Sequence, residues 1–103
     1  MPVKISAIQF LSLSRRKVAE FGEAAFTPEL VAAEGQRVRE LYVEGTLRQV
    51  WRRSDTAGAA ILWEAADEAA ARAALESLPL YRAGLLELTA VVPLAPYPGF
   101  GPR

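Results

Sequence analysis

The chain has no cysteine and no histidine. Their absence removes disulfides, thiol nucleophiles, iron–sulfur ligation and most zinc sites together. It also removes the side chain that ordinarily shuttles protons near neutral pH. Acid–base chemistry therefore falls to Glu, Asp, Tyr or Lys. The formal charge is balanced, with a sequence pI near 6.3, so the chain has no electrostatic bias toward nucleic acid. No apolar run approaches the ~20 residues of a membrane span. The opening Met1-Pro2-Val3-Lys4 does not begin a secretory signal. These features predict a cytoplasmic protein with no membrane association, folded as a single domain across 1–103.

Half the residues are apolar, but many between 57 and 74 are alanine. Alanine buries little area at ~25 cal/mol per Å2. A lone protomer gains modestly from that core, and self-association would extend it.

The stretch at 41–53 organises the rest. It combines a helix end, a glycine stop at Gly45, and a strand carrying both Arg and Trp. Before it, residues 5–11 read as a first strand and residues 12–26 as a surface connection or lid. Thr27, Pro28 and Glu29 open a helix by capping, by a pre-set φ, and by a negative charge at the positive helix end. That helix is expected from 28 to 44. Val31, Gly35, Val38 and Tyr42 form its inward stripe, with Leu41 beside it, and Glu34, Arg37 and Glu40 face away.

Residues 47–53 form the second strand, with Leu47, Gln49, Trp51 and Arg53 sharing one face. A turn at 54–58 leads to a third strand at 59–65. Asp67 and Glu68 open a second helix with the stripe Ala71, Ala74, Leu75 and Leu78, which Pro79 ends. The last strand covers 85–92, its core face formed by Leu86, Leu88, Ala90 and Val92. A proline-rich tail follows (92–103), unable to pair regularly, yet carrying Leu94, Tyr97 and Phe100 for docking on a neighbouring subunit. The order β-α-β-β-α-β predicts an α+β, ferredoxin-like antiparallel sheet with its helices on one face. The bare opposite face calls for a second copy.

The RNA-recognition module shares that order but needs a basic, glycine- and aromatic-rich third strand. Here that strand carries one aromatic and no basic residue. Metal binding lacks a loop motif: Glu20 with Glu23, and Glu64 with Asp67 and Glu68, read as solvated helix-end charges. There is no phosphate loop and no nucleophile elbow. No metal and no cofactor are expected.

The open sheet face remains. Glu87 interrupts the apolar run Leu85-Leu86-Glu87-Leu88; with Thr89, Gln9, Gln49, Trp51 and Arg53 it can line a cleft there. In a dry cleft a carboxylate is pushed toward neutral titration, and Arg holds a substrate carboxylate bidentately. The competing reading is a plain Glu87–Arg53 pair in a subunit interface. Glu44 is the second candidate base, since a helix C-terminus disfavours negative charge.

The run Glu44-Gly45-Thr46-Leu47-Arg48-Gln49-Val50-Trp51-Arg52, followed by Leu78-Pro79-Leu80-Tyr81 and then Glu87, resembles the muconolactone delta-isomerase family over residues 41–93. The resemblance implies a dimeric α/β barrel and a cofactor-free proton shift in an unsaturated lactone. It points to Glu44, Arg48, Trp51, Arg52, Tyr81 and Glu87. Where the isomerase has His, this chain has Gln49. Two functions follow as expectations. One is a small isomerase or lyase, with Glu87 or Glu44 moving the proton, Arg48 or Arg53 holding the carboxylate, and Gln49, Trp51 and Tyr81 lining the cleft. The other is a non-catalytic dimeric barrel that binds a small ligand or only assembles.

Overall fold

A computed structural model describes residues 8–99. Residues 5–7 of the expected first strand and Phe100 of the arm lie outside them. The elements are β1 (Ile8–Arg16), α1 (Val18–Phe21), a 3-10 turn (Glu23–Ala25), α2 (Pro28–Glu44), β2 (Leu47–Arg52), β3 (Ala59–Ala65), α3 (Glu68–Glu76), α4 (Pro79–Arg82) and β4 (Leu86–Leu94). The strands form one sheet in the order β2-β3-β1-β4, with every neighbouring pair antiparallel. This is the ferredoxin-like arrangement. Phe10, Leu47, Ile61 and Trp63 from the sheet pack with Leu41 of α2 and with Ala71, Leu75 and Leu78 from the α3 region in one core.

Thr27 caps α2 by accepting the Leu30 N–H at 3.2 Å, and Pro28 fills the first helical position. Gly45 ends the helix at φ 88°, a left-handed stop that only glycine adopts without cost. The inward face of α2 is rotated from the expected stripe. Leu41 is buried, and Leu30 and Val38 pack against the two core clusters. Val31 and Tyr42 are exposed, Tyr42 at 62%. Glu34 lies on the inward line through Leu30, Val38 and Leu41, contrary to its expected outward position.

β1 runs to Arg16, through the first part of the expected connection. Its alternation was hidden because the buried positions are serines: Ser12 and Ser14 face the core, and Leu11 and Leu13 face the other way. Ser12 earns its burial by accepting the Trp63 indole N–H at 2.8 Å. Ser14 Oγ accepts from the Ala59 N–H at 3.3 Å.

Two bulges reset strand phase. In β2 the register shifts between Leu47 and Gln49, leaving Arg48 as the additional residue. Leu47 therefore lies on the helix side with Val50, whereas Gln49, Trp51 and Arg53 share the open side. The expected grouping of Leu47 with those three is corrected. In the β1–β4 ladder the shift between Leu13 and Ser14 falls at Thr89 of β4. Leu86, Leu88 and Val91 pack toward the helices, while Glu87, Ala90 and Val92 take the open side, which corrects the expected inward Ala90 and Val92.

Two ends also differ. Ser77 closes α3, and Pro79 begins α4 instead of ending the preceding helix. β4 passes through Pro93 to Leu94, which pair with Phe10 and Gln9. An edge strand tolerates proline because its outward N–H bonds to nothing in the sheet.

The Trp63–Ser12 bond generates a direct test. Ser12→Ala leaves a buried indole N–H without its acceptor and should cost about 1–3 kcal/mol, read as a lowered urea midpoint with unchanged slope. An unchanged midpoint would mean that the indole has another acceptor.

Candidate active site

The residues expected to form a site fall into separate surroundings. Glu87 lies on the open face, its side chain half exposed, and accepts from Arg15 Nε at 2.9 Å. Arg15 also holds Glu20 at 2.6 Å. This pairing raises the Arg15 guanidinium, chiefly through Glu20 and then through Glu87, and lowers the Glu20 carboxyl. Glu87 and Arg53 do not pair with each other. Arg53 grips Asp55 at 2.6 Å and donates to the Ser14 carbonyl at 3.3 Å. Those bonds lock the β2–β3 turn, where Gly58 approaches so closely that an added Cβ would stand 2.0 Å from the Ser14 oxygen.

Gln49 and Trp51 are exposed on the open side, Trp51 at 50%. Arg48 stands on the bulge, 3.9 Å from Glu64. Glu44 is exposed at the end of α2, 3.9 Å from Arg37. Tyr81 packs between the two core clusters and lines a groove along β4 with Lys17, Arg72 and Thr89. The open face thus carries Gln49, Trp51 and Glu87, while Glu44 and Tyr81 lie elsewhere.

A different constellation sits on the helix side. A cleft of about 190 Å3 opens between α2, α4 and the ends of β1, β2 and β3. At ~30 Å3 per water it has room for about six waters, or a small ring. Val38, Ile61, Leu78 and Leu80 supply apolar walls; Ser14, Arg16, Glu34 and Arg52 supply the polar groups. The β2 wall comprises Val50, Trp51 and Arg52.

Glu34 reaches this cleft from the middle of α2, and its Oε1 accepts the Leu80 N–H at 2.9 Å. Burial pushes its carboxyl above the ordinary value of 4.5; the Leu80 N–H and the positive Arg16 only partly offset that. Arg16 lies 5.5 Å from the centre of the Phe26 ring, over its face. No described residue forms an ion pair with Arg16 or Arg52. A carboxyl whose proton affinity is raised by burial, beside guanidiniums without an ion-pair partner among the described residues, can exchange a proton with a bound acid. Sequence reasoning placed Glu34 outward. The signal that locates it is the helical spacing Leu30, Glu34, Val38, Leu41.

Among the described residues, no three His, Cys, Asp or Glu side chains cluster as metal ligands, and no helix is long and apolar enough to cross a membrane.

The family model for muconolactone delta-isomerase matches residues 10–99. The chain belongs to that family. The match begins within β1 and includes residues 12–26, so the family likeness extends well beyond the 41–93 resemblance. Both the cleft and the open face lie within the muconolactone delta-isomerase match. No curated protein matches the chain.

The raised Glu34 carboxyl fixes a pH dependence. Its folded-state proton affinity exceeds the unfolded one, so it contributes stability fully below pH 4.5, the ordinary glutamate value. That contribution is lost as pH rises through the higher folded value. Glu34→Gln keeps an oxygen for the Leu80 N–H but has no proton to lose. Relative to the parent, it should therefore gain stability between pH 4.5 and neutrality in urea titrations. A constant difference across that range, or a gain on acidification, would contradict the assignment.

Proposed function

We propose that the protein is a cofactor-independent isomerase or lyase. It moves a proton within a small, unsaturated, carboxylated molecule of the muconolactone type, with Glu34 as the acid–base group. The observation that carries this reading is the raised Glu34 carboxyl within an apolar cleft, in a chain of the isomerase family.

The reaction is a 1,3 shift. A C–H bond next to an electron-withdrawing carbonyl breaks, the double bond moves by one position, and a C–H bond forms at the far carbon. Atoms and electrons balance, so the net change needs no redox partner. A single carboxyl can take the first proton and return it, provided both its forms are populated near working pH. Burial brings Glu34 toward that condition.

The exposed open face supports self-association. Trp51, Val92 and Leu94 are 50%, 44% and 39% exposed there, and half-buried Leu11, Leu13 and Leu62 continue the apolar surface. Two copies packed over this face would form the family's dimeric barrel. That assembly would also bury Glu87, Gln49 and Trp51, which is the reason to keep Glu87 as the alternative base. Among the charged residues of this face, Arg15 already pairs with Glu87.

Assays with muconolactone separate the candidates. Glu34→Gln should lower kcat by about 10²–10⁴, the usual share of general acid–base catalysis. Glu87→Gln and Glu44→Gln should retain most activity. Loss confined to Glu87→Gln would move the chemistry to the sheet face. Full activity in all three variants would remove the carboxylate mechanism. Absence of turnover in the parent would favour a non-catalytic, ligand-binding barrel.

A further inference from the structure

The cleft does not end at its narrow part. Arg16, Arg52 and Gly58 also line a second, wider cavity of about 550 Å3 over the β2–β3 turn, together with Arg53, Asp55 and Thr56. The two spaces share Arg16, Arg52 and Gly58 in their linings, and Glu34 lines only the narrower one.

Charge distinguishes the outer space. Arg53 is paired with Asp55, whose carboxyl it lowers from its ordinary value. Arg16 and Arg52 have no carboxylate within ion-pair distance among the described residues. On the inner side, the Glu34 carboxyl feels the Arg16 charge without forming an ion pair with it. Two positive charges thus line the shared opening with no carboxylate at ion-pair distance from either. Guanidinium groups bind carboxylates and phosphates through paired N–H donors. The two arginines come from different strands, with Arg16 closing β1 and Arg52 closing β2.

We infer that the turn-side cavity is a second anionic subsite, held by Arg52 with Arg16, which favours substrates carrying two anionic groups over those, such as muconolactone, that carry one. One acidic group accompanies the reacting end near Glu34; the other sits at the turn. The position of the reacting end rests on the Glu34 reading, whereas the anion site rests on the arginines alone. The recognised chemistry is a small dicarboxylate, or a carboxylate bearing a phosphate.

Isothermal titration calorimetry on the full chain, at low ionic strength and pH 7, tests this with two probes of one skeleton. Succinate and butyrate both have four carbons and differ by one carboxylate. Succinate should bind at least ~10-fold more tightly, a difference of about 1.4 kcal/mol. Arg52→Gln should bring the two within ~3-fold. Arg52 is exposed, so its replacement spares the core, and Arg52→Lys, which keeps the charge without the fork, should retain an intermediate preference. Arg72→Gln, remote on α3 and paired with Glu68, should leave the preference unchanged. Equal binding of the probes, or a preference that survives Arg52→Gln, would overturn the inference. Glu34→Gln separates the two readings. If it is fully active yet still prefers succinate, only the acid–base reading falls; if it is inactive and the parent shows no preference, only the anion subsite falls.

Discussion

The hydrogen bond from the Leu80 N–H to Glu34 organises the helix side of the molecule. α4 starts at Leu80's neighbour Pro79, and its preceding residue, Leu78, offers no side-chain cap. The first N–H groups of any helix lack intrahelical partners. Glu34 supplies one acceptor from α2, forty-six residues away in the chain. The bond ties α2 to α4 and holds a carboxyl among apolar neighbours. The protein thus keeps a group that is costly to ionise, and the same placement biases it toward proton exchange. The structural cap and the proposed acid–base group are one side chain.

Much of this fold was legible because local signals agreed. Thr27, Pro28 and Gly45 marked both ends of α2, and Asp67 marked the start of α3 by capping the Ala70 N–H. The turn at 54–58 paired β2 with β3. What alternation missed were positions where burial and polarity part company. Ser12 and Ser14 are buried because Trp63 and Ala59 satisfy their hydroxyls, so β1 from Ser12 onward resembled a loop. Bulges at Arg48 and Thr89 shifted the phase of two strands, and no period-2 count anticipates an inserted residue.

The same cause hid the cleft. A helix surface has nearly continuous choices of face, and charged residues default to solvent in any amphipathic count. Glu34 is the exception because the Leu80 N–H and the field of Arg16 partly compensate its burial. Two of the residues singled out at 44–53 line this cleft. Arg52 and Trp51 belong to the cleft wall, although the carboxylate opposite them comes from α2. Gln49 lies on the open side, away from the Glu34 cleft.

Two faces of one sheet therefore compete for the chemistry, one already enclosed by helices and one awaiting a second copy. The enclosed face has the stronger claim because its carboxyl is shifted within a single chain. Its protonation can be observed residue by residue. Carbon-13 NMR of the side-chain carboxyl groups, titrated from pH 3 to 8 and assigned to Glu34 with the Glu34→Gln variant, measures it most directly. A Glu34 midpoint clearly above 4.5 is expected. A midpoint at or below that value would mean that the group is fully ionised at neutral pH, and the cleft would lose its acid–base function.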